Sequence, residues 1–419
     1  MRRRDVLMMG AAAAVTAAMR PERAWSAAQA KDLASDLESM TGDVQPIGKE
    51  EFAARLVKAR ALMARHDIGA LIVEPGSSLV YFTGIQWWRS ERITAAVIPR
   101  EGDVGIVTPH FEEPSIRESL SIPAEVRIWH EDANPLDRIA GILRDRKVTG
   151  PIGFEETVRY FVVDGLRKVL PDAKVVNGAP IVRGCRMIKT APELALMQKA
   201  ADITIAAFRF AHRHIRAGMT PGDIDALIAA AHRAFGASYE EGLVLLGEAS
   251  AYPHGSHQPQ SVRAGEVVLL DCGGDVHGYK SDISRTFVFG DATAEQRKVY
   301  DQVRQGQQIA FETARVGLAA GKVDDAVRAQ YEKWGYGPGY QLPGTPHRTG
   351  HGIGLDGHEP VNFVHGETTP LAAGMCFSDE PGIYLPGRFG IRLEDCLHMG
   401  PEKAIWFSVP PKSLDQPFD

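Results

Sequence analysis

Cysteine is scarce in this chain: 419 residues carry four, Cys185, Cys272, Cys376 and Cys396. None stands in a CxxC pair, which argues against a thiolate zinc site and leaves buried free thiols as the expected state. Beyond residue 30 no stretch is long and apolar enough to be a membrane helix. No block of Lys and Arg occurs outside the extreme N-terminus, and the formal net charge is -6, which argues against nucleic acid as a partner. Low-complexity tracts are absent as well. What remains, 44% hydrophobic and 24% charged, is ordinary globular sequence, long enough for two domains with a core each.

The first thirty residues, MRRRDVLMMGAAAAVTAAMRPERAWSAAQA, have a basic head, a mildly apolar run from Val6 to Met19 and a small-x-small site at Ala28-Gln29-Ala30. That is a signal-peptide layout, with an apolar run too short to span a bilayer. Arg3-Arg4 followed by Val6-Leu7 looks like a twin-arginine signal, although the Ser or Thr usual before the pair is missing. Residues 1–30 are therefore expected to be a leader, and the mature protein to be periplasmic without a membrane span.

Residues 31–185 read as an α/β domain. "FAARLVKARALMARHDI", "NPLDRIAGILRDR" and "VVDGLRKVL" have helical periods, whereas "GALIVEP", "ITAAVIP" and "VGIVTP" are short apolar runs of strand type. Residues 186–419 behave differently. "RAGMTPGDIDALIAAAHRAFG" (216–236) aligns without gaps on "RVGLAAGKVDDAVRAQYEKWG" (315–335). Arg216/Arg315, Gly218/Gly317, Gly222/Gly321, Asp225/Asp324 and Gly236/Gly335 are identical. Each copy follows a long helical stretch (192–215 and 294–314) and precedes glycine-broken apolar runs read as hairpins (266–289 and 374–400). A duplicated helix-helix-hairpin predicts an α+β domain of two facing halves, with its site between them.

The hairpins carry carboxylates: Asp271, at the end of the apolar run Val267–Leu270, and Asp282 in the first, mirrored in the second by Glu380 and Glu394, which likewise follow apolar strands. A carboxylate there is costly unless paired or bound to metal. Asp275, Asp379 and Asp395 read as ordinary turn or edge residues. Four carboxylates would neutralise two divalent cations, and one added histidine gives an oxygen-rich site suited to Mn, Fe or Co at least as well as Zn. Histidines are concentrated in "HRTGHGIGLDGHEP" (347–360), where four glycines argue against the zinc-binding helix that two histidines one turn apart would form.

The series D-x10-D, GHG-x-G-x3-HE, EPGIY and GIRLED resembles the pita-bread metallopeptidases, a group holding methionine aminopeptidase, Xaa-Pro aminopeptidase, prolidase and the metal-free creatinase. The resemblance covers residues 45–405. It implies that Asp271 chelates one metal, that Asp282 and Glu394 bridge both, and that His351 and Glu380 complete the second. It also implies that His358 donates to the oxyanion and that His254, in "SAYPHGSHQP", steadies the substrate backbone or leaving group. His347 matches a substrate-side histidine. Arg392 matches an arginine that positions substrate, though it can equally be a structural ion pair. Gly366 stands where some prolidases have a carboxylate-reading arginine, a departure that puts strict dipeptide selectivity in doubt. In relatives the N-terminal domain of one subunit reaches into its neighbour's site. Trp87, Trp88 and Arg89 would then cap the cleft of a homodimer or larger assembly, the alternative being a tryptophan pair packed in the N-domain core.

Two such cations, manganese first and cobalt, iron or zinc as alternatives, hold and acidify a water that attacks a scissile carbonyl, with Glu380 relaying its proton to the leaving nitrogen. The substrate expected is a small peptide with proline second, cleaved as a dipeptide. The alternatives are an aminopeptidase acting on longer Xaa-Pro peptides, a non-peptidase hydrolase or lyase on the same scaffold, and a catalytically silent binding protein.

Overall fold

Ala30 and Ala34 are small enough to let α1 (Ala27–Leu33) lie close on a neighbouring helix, and both are buried. This helix opens the computed structural model, which describes residues 27–240 and 242–418. The basic head and apolar run of the expected leader lie outside the described residues, while its expected cleavage site, Ala28 to Ala30, falls on α1.

In α2 (Lys49–Arg65), Phe52, Leu56, Ala59 and Met63 recur every three or four positions and form its buried face. There follow β1 (Ala70–Val73), α3 (Ser77–Thr83), β2 (Ala95–Pro99), β3 (Val104–Pro109), α4 (Glu113–Ser119), β4 (Ala124–Trp129), α5 (Pro135–Asp145), β5 (Ile152–Phe154), α6 (Tyr160–Val169), β6 (Val175–Asn177) and α7 (Ala179–Arg186). The strands form one sheet in the order β4-β3-β2-β1-β5-β6, in which β2 runs antiparallel to β1 and β3 and the other pairs are parallel. Its central strands are apolar throughout because each face packs into a separate cluster. Leu71 and Val73 face the core shared with α2, and Ala70 and Ile72 face the one shared with α5.

Thr190 opens the second domain with a capping box closed by Glu193, starting α8 (Ala191–His214). After it come α9 (Pro221–Phe235), β7 (Ser238–Tyr239), β8 (Leu243–Leu246), β9 (Glu266–Cys272), β10 (Gly274–Val276), β11 (Tyr279–Lys280) and β12 (Ile283–Phe289). The second copy runs α10 (Ala294–Thr313), α11 (Gly321–Lys333), β13 (Gly350–Gly352), β14 (Glu359–Phe363), β15 (Cys376–Asp379), β16 (Gly382–Leu385), β17 (Phe389–Arg392), β18 (Asp395–Met399) and β19 (Ala404–Trp406). The repeat is visible in the backbone itself. Gly218 and Gly317 both take φ +87°, a left-handed conformation that side chains resist.

Each half builds its own sheet, β12-β9-β8 in one and β14-β13-β15-β18-β19 in the other. They meet where Ser284 and Glu394 exchange backbone hydrogen bonds, the amide of each donating to the carbonyl of the other. All four cysteines are free and buried. No helix among the described residues is long and apolar enough to cross a membrane.

Candidate active site

The junction between the two sheets collects the carboxylates. Asp271 sits on β9 in register with Ser284 of β12, and Asp282 immediately precedes β12. In the second half Glu380 directly follows β15 and Glu394 directly precedes β18, the rung beyond the Asp379–Asp395 pair. Strand β13, between β14 and β15, carries His351. Three sets of ligand-type atoms lie within 4.8 Å of one another: Asp271, Asp282 and Glu394; His351, Glu380 and Glu394; Asp282, His351 and His358. They line one cavity of about 410 Å³ together with His254, Pro346, His347, Arg348, Val364 and Arg392.

Carboxylates this close and this dry resist carrying their charges together. Burial and the neighbouring carboxylates push Asp282 and Glu394 well above the usual range, and burial with Asp271 pushes Glu380 up to about 7. Burial takes His351 down to about 4, so its ring is neutral. Its Nδ1 lies 3.0 Å from the Gly352 carbonyl, a donor's position, which leaves the Nε2 lone pair facing Glu380 Oε1 at 3.3 Å and Asp282 Oδ2 at 3.7 Å. Once those carboxyls are ionised, the lone pair is repelled by them unless positive charge lies between. Glu394 Oε1 is also buried without a hydrogen-bond partner. Four carboxylates, one oriented imidazole and an orphaned oxygen fit a pair of hard divalent cations.

A ring of other residues fixes these groups. Ser284 Oγ lies 2.9 Å from Asp271 Oδ1 and 2.8 Å from Glu394 Oε2, and it accepts from Arg392 Nε at 3.0 Å. Arg392 further donates to Asp271, to the Tyr384 hydroxyl at 2.9 Å and to the Pro253 carbonyl at 3.1 Å. Its guanidinium is thus engaged in holding Asp271 and the wall of the cavity. His347 Nε2 lies 2.8 Å from the same Tyr384 hydroxyl, and its Nδ1 lies 2.8 Å from the Arg348 carbonyl. His358, exposed to the cavity, stacks on His351 with ring centroids 3.7 Å apart. His254 reaches the cavity from the exposed loop ahead of β9.

Trp87, Trp88 and Arg89 are not brought to this cavity by their own chain. The two indoles stack at 4.4 Å beside a separate hollow formed with Glu155, Arg186 and Asp356. Trp87 is partly buried and donates from Nε1 to Glu112 at 3.2 Å, whereas Trp88 is 66% exposed. Arg89 donates to the Pro75 carbonyl at 2.8 Å and to Thr157.

The reading of Asp379 and Asp395 as turn or edge carboxylates is corrected: both are fully buried. Strand alternation turns them away from the cavity and into the layer behind it, where Arg285 grips Asp395 at 2.7 and 3.1 Å.

Three other supports are given no role by the sequence. Ser284 is one. Asp324, from the repeated helix, accepts from the Thr349 amide and hydroxyl at 3.1 and 2.7 Å and from Arg328, whose guanidinium also holds the His347 carbonyl. Glu359, next to His358, accepts from the Leu355 amide at 3.0 Å, from Lys189 Nζ at 2.8 Å and from Arg186.

Residues 195–401 match Metallopeptidase family M24, and residues 55–188 match the Creatinase/Prolidase N-terminal domain. The chain belongs to metallopeptidase family M24. It is 32% identical over 376 residues to the probable dipeptidase PepE of Mycobacterium tuberculosis, spanning 87% of this chain and 96% of that protein. It is 35% identical over 350 residues to the Xaa-Pro dipeptidase of Lactobacillus delbrueckii subsp. lactis, spanning 81% and 93%. The crystal structure of dipeptidase PepE from Mycobacterium ulcerans matches with a TM-score of 0.79 at 30% identity, covering 88% of this chain and 98% of that one. This M24 metallopeptidase has the pita-bread catalytic domain behind a creatinase-type N-terminal domain, and divalent metal ions belong to its chemistry.

Proposed function

We propose that this M24 metallopeptidase hydrolyses the Xaa-Pro bond of dipeptides, using two divalent cations, manganese first among the candidates. The observation that carries it is the convergence of Asp271, Asp282, His351, Glu380 and Glu394 on one cavity, walled by His254, His347 and His358. The names of the PepE and Xaa-Pro dipeptidase relatives support the substrate. When bound, the cations supply an acidified water and polarise the scissile carbonyl. Asp271, Asp282, His351, Glu380 and Glu394 hold them. Glu380 takes the proton from the attacking water and returns it to the leaving proline nitrogen. His358 donates to the oxyanion, while His254 and His347 orient the peptide, His347 itself steadied by Tyr384.

Two further features belong to this proposal. Trp88, exposed on the N-terminal domain, covers the cavity of a second copy in a homodimer, with Trp87 and Arg89 as its support. Residues 1–30 direct export to the periplasm, a reading supported by the Arg3-Arg4 pair and the apolar run behind it.

The test is proline release from Ala-Pro beside cleavage of Ala-Pro-Ala, in Mn²⁺, Co²⁺ and Zn²⁺, with Asp282→Ala as control. Rapid dipeptide cleavage lost in the variant is expected. Preference for the tripeptide would move the activity to the aminopeptidase alternative. No cleavage of either, with two metals bound, would overturn the peptidase reading.

A further inference from the structure

A dipeptide brings two opposite charges into a cavity that must also hold its metals. Its ammonium can find carboxylates there. Its C-terminal carboxylate needs a cation, and only two arginines line the cavity, Arg348 and Arg392. Arg392 is committed: it is 3% exposed, and Asp271, Ser284, Tyr384 and the Pro253 carbonyl take up its donors. Arg348 is the opposite case. It is half-buried in the cavity wall, its carbonyl accepts from His347, and among the described residues no hydrogen bond or ion pair engages its guanidinium. Its charge is near enough to act on both His351 and His358.

Holding a guanidinium free beside metal-ligand groups has no evident structural purpose. A cation there repels the very metals the site collects, so it weakens their binding unless an anion comes to meet it. Its planar fork matches a carboxylate edge to edge, which a rigid dipeptide terminus can present without reorganising. Gly366, a glycine at φ +83°, brings no side chain that could compete for the carboxylate.

We infer that Arg348 reads the C-terminal carboxylate of the substrate and so sets the preference for dipeptides over longer or amidated ones. This rests on the peptidase reading above. A chain that continues past the proline replaces the carboxylate by an amide, leaves Arg348 unpaired beside the metals and is thereby disfavoured.

The test compares Ala-Pro with Ala-Pro-amide for wild type, Arg348→Gln and Arg348→Lys at saturating Mn²⁺, with metal content measured on each protein. Inhibition by free proline is compared with inhibition by prolinamide. In wild type the ratio of kcat/KM for acid over amide is expected to be about 10 to 100, the strength of one charge-assisted pair. Arg348→Gln should bring that ratio towards one, mainly by raising KM for Ala-Pro, and Arg348→Lys should restore part of it. The proline-to-prolinamide inhibition ratio should collapse in parallel. Equal loss on both substrates, loss of metal from the variant, or an unchanged ratio would overturn the assignment. Wild type that cleaves Ala-Pro and its amide equally well sinks the Arg348 role while the peptidase reading stands. Wild type that cleaves neither sinks both.

Discussion

Asp271 and Glu394 come from opposite halves of the duplication and share one hydroxyl, Ser284 Oγ, at 2.9 and 2.8 Å. A hydroxyl has one proton, so it donates to one carboxylate at a time and cannot satisfy both. Divalent cations held by Asp271 and Glu394 would relieve the conflict by taking up the carboxylate lone pairs that the hydroxyl leaves unmatched. Ser284→Ala should therefore weaken metal binding by about 10- to 100-fold, the range for an outer partner of a ligand. Isothermal titration of the metal-free protein measures it, and circular dichroism unchanged from wild type separates it from misfolding.

The same crowding makes metal uptake a proton-releasing reaction. Without metal, Glu380 titrates at about 7, and Asp282 and Glu394 lie well above the usual carboxylate range. A raised carboxylate contributes stability below its unfolded value of 4.5 and loses it as pH rises through the folded value. The metal-free protein should thus feel its carboxylates more as pH climbs from 5 to 8, while bound metal cancels them. His351, already neutral with or without metal, drops out of the difference. Calorimetric Mn²⁺ titration in buffers of different ionisation enthalpy should release more protons at pH 6 than at pH 8. Equal release at both would contradict the raised carboxylates.

Glu359 anchors the His358 loop to the domain junction through Lys189 and Arg186. Glu359→Ala would strand the nearly buried Lys189 and leave Arg186 with Asp356 alone as its counter-charge, and should cost about 3–5 kcal/mol, read from urea unfolding of the metal-bound protein. Burial opposes the Glu359 charge, but Lys189 and Arg186 overcome it and hold the carboxyl down at about 2. Its stabilisation is complete above pH 4.5 and disappears as pH falls towards 2, so the gap between wild type and variant should narrow over that range.

Trp88 offers a test of assembly. Sedimentation of the wild type should give a dimer or a larger species. Trp88→Ala should raise KM for Ala-Pro by roughly 10-fold if the indole is a buried anchor against the substrate or the partner. A monomeric wild type that is fully active would remove the cap altogether.

Much of this was readable in the sequence. The candidate ligands Asp271 and Glu394 follow apolar strand residues, and the shared left-handed Gly218 and Gly317 reflect the repeat read at 216–236 and 315–335. Local pattern carries such information because strand alternation and turn geometry are local. Ser284 and Arg348 were not given a role, and Asp324 and Glu359 entered only as a repeat identity and a motif letter, for the opposite reason. Ser284 reaches Glu394 across 110 positions and Glu359 reaches Lys189 across 170, and a serine or an arginine has no periodicity to betray a distant partner. Arg392 was seen, but its saturation by four acceptors became apparent only in three dimensions.

The two halves touch at the active site through Ser284 and Glu394, which exchange backbone hydrogen bonds across the seam. Metals bound there would be fasteners as well as reagents, since the residues that would hold them, Asp271 and Asp282 on one side and His351, Glu380 and Glu394 on the other, come from both halves. Occupancy would then govern mechanical coherence: stripped of metal, the molecule should open first along the line where it does its chemistry, leaving each half with two like charges facing outward. Amide exchange at Ser284 and Glu394 would then be a gauge of metal loading, with no need to follow a single turnover.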